Sequence, residues 1–197
     1  MSTTGDLPFY YEFVSETERS QLEQDLRERR YRSWVEKYPD KVASFFGALM
    51  FFAGYNLTKD DVAYFADRIN INLHSNVYPS ELGGTTPLCS ACEFRNINLV
   101  QYLLEKGADP NLEDNYGFTP LESAIVGHQP EDVQHTEECE KIVRLLIDHG
   151  AQKTLREIIS KNPHCDFYRK NSPYLAELFQ NARPRQQIHI PPQIAKK

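Results

Sequence analysis

Long apolar runs are scarce in this chain of 197 residues. The longest, from Val42 to Ala53, is interrupted by Ser44 and bounded by Lys41 and Asn56, too short for a bilayer span and better suited to a buried helix. No stable membrane association is expected. A basic surplus is lacking too: 22 Lys and Arg against 28 Asp and Glu give a formal net charge of -6, which leaves no electrostatic footprint for nucleic acid. Cysteine is sparse, with Cys89, Cys92, Cys139 and Cys165, and the N-terminus carries no signal-peptide pattern. Reduced thiols in a cytoplasmic setting are therefore expected. Gly83-Gly84 is not followed by Lys-Ser or Lys-Thr at the offset of a phosphate loop, so no cofactor is expected. The length suits one cored domain with extensions.

What the chain does have is self-similarity. The segment from Gly84 reads GTTPLCSACEFRNINLVQYLLEKGADPNLED, and the segment from Gly117 reads GFTPLESAIVGHQPEDVQHTEECEKIVRLLIDHGAQ. Both contain Thr-Pro-Leu, a following Ala, an apolar Leu-Val or Ile-Val pair, a Leu-Leu or Leu-Ile pair, and Gly-Ala. Thr86 and Thr119 lie 33 residues apart.

With that period the chain resembles the ankyrin-repeat family. The residues that carry the resemblance in the first unit are Gly84, Thr86, Pro87, Leu88, Ala91, Val100, Leu103, Leu104, Gly107, Ala108, Asp109 and Asn111. In the second they are Asp114, Gly117, Thr119, Pro120, Leu121, Ala124, Val143, Leu145, Leu146, Gly150 and Ala151. Local physics agrees. Thr86 and Thr119 stand where a hydroxyl caps a helix, and Pro87 and Pro120 fall at the first helical position. Leu99, Val100, Leu103 and Leu104 form an apolar stripe on a second helix, which Gly107 ends. Ala108 to Gly117 is dense in turn formers and reads as the projecting hairpin loop between units.

Gly107 and Gly150 are 43 residues apart, so the second unit carries an insertion placed between His128 and Ile142, read as a loop or a lengthened helix end. The His usual after Thr-Pro-Leu in the family is replaced by Cys89 and Glu122, which removes its hydrogen bonds. Two units cannot bury a core alone. Asp40 to Ala53 with Thr58 to Ile69 reads as a degenerate repeat ending in Asn70-Ile71-Asn72, a weak copy of Asp109-Pro110-Asn111. Thr154 to Lys161 and Pro173 to Asn181 read as a helix pair capping the far end. Ser15 to Tyr38 reads as one long N-terminal helix. The expected fold is all-α: an ankyrin-type solenoid of about four stacked helix pairs with short hairpin loops, plus that helix. The segments are 1–38, a repeat domain 39–182 (divided 39–79, 80–113, 114–153 and 154–182), and a flexible tail 183–197.

Candidate chemistry is thin. Cys89-x-x-Cys92 has metal-pair spacing, but a zinc site needs two more ligands, so packing is preferred and no metal is expected. His164-Cys165-Asp166, with His128 and His135, lacks any nucleophile signature, and no catalytic residue is assigned. Arg27, Arg29, Arg30 and Arg32 interleave with Glu23, Asp25 and Glu28, the mark of a solvated face rather than a phosphate site. Phe9, Tyr10, Tyr11 and Phe13 read as a segment glued to the solenoid, or as a docking peptide.

The resemblance implies a protein-binding module whose partner docks on the concave side. By position this carries over to Leu82, Thr85, Glu93 and Phe94 in the first unit and Asn115, Tyr116, Phe118 and Val126 in the second. Large aromatics in a turn-rich loop have no evident core to fill and make good interface anchors; packing against the adjacent unit is the other reading. Glu93, Glu113 and Asp114 favour a basic partner. The chain is expected to be a monomeric adaptor or inhibitor and not an enzyme. The alternatives are an effector delivered by an intracellular bacterium into host cytoplasm, or an activity housed in the non-repeat flanks.

Overall fold

The computed structural model describes residues 14–53, 56–72, 84–127, 133–156 and 163–185. In chain order its elements are α1 (Glu16–Arg27), α2 (Arg32–Lys37), α3 (Val42–Ala53), α4 (Lys59–Ala66), α5 (Pro87–Glu93), α6 (Ile97–Glu105), α7 (Pro120–Val126), α8 (Val133–Asp148), β1 (Thr154–Arg156), α9 (Pro163–Asn171), α10 (Pro173–Asn181) and β2 (Arg183–Arg185). Four helix pairs stack: α3 with α4, α5 with α6, α7 with α8, and α9 with α10. The first helices pack side by side in the order α3, α5, α7, and the second helices in the order α4, α6, α8. This is the all-α solenoid that the repeats imply.

Each unit opens and closes by local chemistry. The Thr86 hydroxyl accepts the Cys89 amide at 3.1 Å and the Thr119 hydroxyl accepts the Glu122 amide at 3.3 Å, satisfying amides that have no helical partner. Leu99, Val100, Leu103 and Leu104 of α6 are all buried, as are Ile142, Val143 and Leu146 of α8. Burial of each such side chain is worth roughly 1.5–3 kcal/mol, and only the neighbouring pair can supply the cover. Gly107 and Gly150 close α6 and α8 in the left-handed region, with φ of 88° and 93°, and the amides of Ala108 and Ala151 reach back to the carbonyls of Leu103 and Leu146.

Adjacent units are tied by an asparagine clamp. The Asn111 side chain donates to the Gly150 carbonyl at 3.0 Å and accepts the Gln152 amide at 2.8 Å. Asn72 does the same one unit earlier, donating to the Gly107 carbonyl at 3.4 Å and accepting the Asp109 amide at 2.8 Å. Asn70 and Asp109 hold these clamps in place by accepting the amides of Asn72 and Asn111.

Three expectations need correction. Ser15 to Tyr38 is two helices. The chain turns at Arg29, whose φ is 60°, because the Arg30 amide bonds the Asp25 carbonyl and the Arg29 amide bonds that of Leu26, a helix stop that ordinarily uses glycine. Asp25 then accepts both Arg30 and the Trp34 indole N–H, the latter at 2.8 Å. Thr154 begins a strand rather than a helix: β1 pairs in parallel with β2, Leu155 opposite Pro184, and the Arg156 amide is drawn away to the Glu122 carboxylate. Arg183–Arg185, read as the start of the tail, form β2 instead. The insertion lengthens a helix, since α8 has 16 residues against nine in α6. Phe9 to Phe13 and the rest of the tail lie outside the described residues.

The N-terminal helices join the stack through Asp61 on α4. Its carboxylate takes the Thr58 amide and hydroxyl at 2.9 and 2.7 Å, Arg29 at 3.0 Å and the buried Tyr31 hydroxyl at 3.0 Å. Burial pushes this carboxyl up, but the Thr58, Arg29 and Tyr31 donors outweigh it and hold Asp61 below the ordinary aspartate value. A depressed carboxyl contributes stability above its unfolded value that disappears as pH falls through the folded one. Asp61→Asn should therefore have a lower urea midpoint than wild type at pH 7, with the gap closing on acidification toward pH 3. For the clamp, Asn111→Ala should lower unfolding free energy by about 1–2 kcal/mol through two lost hydrogen bonds, measured by urea denaturation.

Candidate functional site

The loop before α7 is built so that its backbone cannot wander. Asp114 accepts the amides of Tyr116 and Phe118 at 2.9 and 2.8 Å, and Gly117 takes a φ of 74° that this tight turn requires. The Asn115 amide donates to the Gly84 carbonyl at 3.1 Å, which stitches the loop to the preceding hairpin beside Thr85. Tyr116 is left 38% exposed, while Phe118 is half-buried.

Beneath the loop lies an ion pair that sequence reading missed. Glu122 is fully buried at 0% exposure and Arg156 at 5%. One Glu122 oxygen accepts the Arg156 amide at 2.7 Å, and the other stands 3.3 Å from the Arg156 Nε while accepting the Thr119 amide at 3.2 Å. The guanidinium lies 4.0 Å from the Phe118 ring centroid and donates to the Tyr116 carbonyl at 3.3 Å. So the aromatic pair of the loop is not equivalent: Phe118 is the lid on a buried cation, and Tyr116 is the side chain that faces outward.

The substituted histidine positions are corrected in the same terms. At Glu122 the family's hydrogen bonds are replaced by the ion pair. At Cys89 the thiol donates to the carbonyls of Leu112 and Phe118 at 3.7 and 3.5 Å. The loop remains tied in both units.

Glu93, Phe94 and Val126 stand at the other end of α5 and α7. Seven helical residues span about 10 Å, so seven of the eight carried-over positions divide into a hairpin end, with Thr85, Asn115, Tyr116 and Phe118, and a turn end, with Glu93, Phe94 and Val126. Phe94 caps α5 and is half-buried, and Gly127 follows Val126 so closely against the Glu93 carbonyl that a Cβ there would sit 2.6 Å from it. Leu82 lies outside the described residues.

The family model for ankyrin repeats, in three copies, matches residues 49–157. The chain belongs to the ankyrin-repeat family. Among its relatives, a Rickettsia bellii protein named for ankyrin repeats is 32% identical over 114 residues, 58% of this chain and 41% of the relative. A similarly named Rickettsia felis protein is 38% identical over 66 residues, covering 34% of this chain and 27% of the relative. A fowlpox virus ankyrin repeat protein is 38% identical over 61 residues, covering 31% and 29%. The chain spans about two fifths of the first relative's length and less of the others. Ankyrin repeats mark a protein–protein interaction module, and no helix among the described residues is long and apolar enough to cross a membrane.

The cysteines of this ankyrin protein are packing residues. All four are buried free thiols, and burial pushes Cys89 and Cys139 up to about 12 and Cys165 up to about 11. A nucleophilic thiol needs the opposite shift and an open approach, so Cys165 is not placed for catalysis. Asp166 pairs with Arg169 at 2.6 Å. His128 and the side chain of His164 lie outside the described residues, and His135 sits on the lengthened start of α8. The arginine run is a solvated face only in part: Arg27 pairs with Glu23 and Arg30 with Asp25 and Glu28, whereas Arg29 reaches the buried Asp61 that joins the N-terminal helices to the stack.

Removing one partner of a buried ion pair strands the other charge. Glu122→Ala should therefore destabilise the fold by roughly 3–5 kcal/mol, whereas Glu113→Ala, in the loop before α7, should change it by well under half as much; chemical denaturation of both variants checks the difference.

Proposed function

We propose that the chain is an adaptor or inhibitor that grips a partner protein on the concave side of the ankyrin stack, with Tyr116 at the centre of the contact. The observation that carries this reading is the loop itself. Tyr116 is the exposed large aromatic of a turn whose backbone is held by Asp114, by Gly84 and, through its carbonyl, by the buried Arg156. An aromatic on a fixed backbone loses little freedom on binding. Thr85 and Asn115 flank it, Leu82 precedes them in the chain, and Phe118 covers Arg156 beneath the loop. Glu93, Phe94 and Val126 form the far end of the same face.

Glu113 and Asp114 flank Tyr116 with negative charge, and the chain as a whole carries -6, which suits a partner with a basic patch. The binding unit is a monomer in a cytoplasm. Relatives in Rickettsia and fowlpox virus favour a second reading in which the bound protein belongs to a host cell.

Affinity purification from host-cell lysate with wild type and Tyr116→Ala tests the face. Tyr116→Ala should lose a protein that wild type retains, while its melting temperature falls by no more than about 4 °C because the ring is only partly covered. Retention of the same set by both proteins would reject the Tyr116 face. Phe118→Ala is a poorer probe, since uncovering Arg156 should lower stability as well.

A further inference from the structure

The two-stranded sheet fixes where the chain leaves the stack. β1 runs from the Asn111 clamp at Gln152 toward α7, where the Arg156 amide ends on Glu122 at 2.7 Å. β2 pairs with it in parallel, Arg185 opposite Arg156, so both strands run toward the row of first helices. Adjacent strands lie about 4.8 Å apart, and the Arg156 Nη1 donates to the Tyr116 carbonyl at 3.3 Å. One strand spacing and one arginine side chain therefore separate Arg185 from the Tyr116 loop.

β2 is a poor template for a further strand. Arg183 donates its amide to the Lys153 carbonyl at 3.0 Å, so by the alternation of a ladder Pro184 is turned to the open edge, where it has no N–H to offer. The strand acts instead as a tether that starts residues 186–197 beside the candidate face. Those twelve residues read QQIHIPPQIAKK, with no acid, three isoleucines, two adjacent prolines and two lysines. The loop is their complement. Arg156 is neutralised by Glu122, so Glu113 and Asp114 leave the loop net negative, and a Glu113 carboxylate oxygen stands 3.6 Å from where a Cβ on Gly117 would be. Tyr116 adds an exposed aromatic surface. Paired prolines favour an extended course, and such segments dock on aromatic rings at little entropic cost. Fully extended, twelve residues reach about 40 Å, ample to cover the loop.

We propose that residues 186–197 dock on the Tyr116 loop, so that the chain occludes its own binding face until a partner displaces them. The isoleucines and prolines supply the apolar contact for Tyr116, and Lys196 and Lys197 the charge for Glu113 and Asp114. The inference rests on the adaptor reading and narrows its partner to one that presents an extended, acid-free segment of the same kind. A short tether gives an effective concentration in the millimolar range, so a contact too weak to hold a free peptide tightly still covers the loop for much of the time.

The test compares amide spectra of the 15N-labelled full chain with those of Ile188→Asp/Ile190→Asp, whose changes lie beyond every described element. The Asn115, Tyr116 and Gly117 amides should shift between the two proteins. A synthetic peptide of residues 186–197, added to the variant up to several millimolar, should return them saturably to their wild-type positions. Tyr116→Ala in the same variant should weaken peptide binding about tenfold or more, the scale of a central aromatic anchor. Identical loop amides in the two proteins overturn the proposal, as do an absence of saturation, peptide shifts confined to other amides, or binding undiminished by Tyr116→Ala. No partner enters this experiment, so a bare loop rejects the tail contact and leaves the adaptor reading to the lysate test. In that test Ile188→Asp/Ile190→Asp should retain the Tyr116-dependent protein severalfold better than wild type, and equal retention overturns the occlusion. A docked tail with no Tyr116-dependent protein in the lysate would reject the adaptor reading alone.

Discussion

No helix pair in this chain can cover its own apolar surface. The stripe of Leu99, Val100, Leu103 and Leu104 faces the stripes of α4 and α8, and Leu88 and Ala91 of α5 lie between α3 and α7, so each unit is stable only while its neighbours stand. Everything unusual about the molecule follows from having to end such a stack. At the start, α1 and α2 close over α3, with Asp61 as the single carboxylate that gathers Thr58, Arg29 and Tyr31. At the far side α9 and α10 close over α7 and α8, where Ser172 bonds Glu140 at 2.6 Å and Arg144 lies over Tyr174. Both caps use charged side chains at their joints because the cap must be apolar on one face and wet on the other.

The repeat itself was legible because its signals are local. A Thr that caps, a Pro that follows it and a Gly that stops the second helix each act within one turn, so Thr86, Pro87, Gly107 and Gly150 could be placed from the chain alone. Arg29 and Arg95 escaped notice for the converse reason: both occupy left-handed helix stops in which nothing about arginine announces the conformation. Thr154 to Arg156 escaped because its strand partner is 29 residues away and its amide partner, Glu122, is 34 away. Long-range pairings of this kind have no sequence period to reveal them.

The candidate face was legible in part. Placing Tyr116 on an exposed turn needed only the density of turn formers around Gly117. Separating Tyr116 from Phe118 needed Arg156, which reaches the loop from beyond the second unit. Phe94 shares helical register with the face yet stands at the opposite end of α5, a distinction that spacing along one short helix cannot draw.

Cys89 and Glu122 occupy the same slot in consecutive units and solve the same problem with unequal strength. A buried thiol donates weakly to two carbonyls, whereas a buried carboxylate accepts from two backbone amides and pairs with a guanidinium. The hairpin between the two units is thus held more loosely on its Cys89 side than on its Glu122 side. Tyr116 stands on the firm side, its carbonyl fixed by the same arginine that neutralises Glu122. The residue that stands in place of the family's histidine in the second unit therefore also stiffens the backbone beneath Tyr116, through the arginine that it holds.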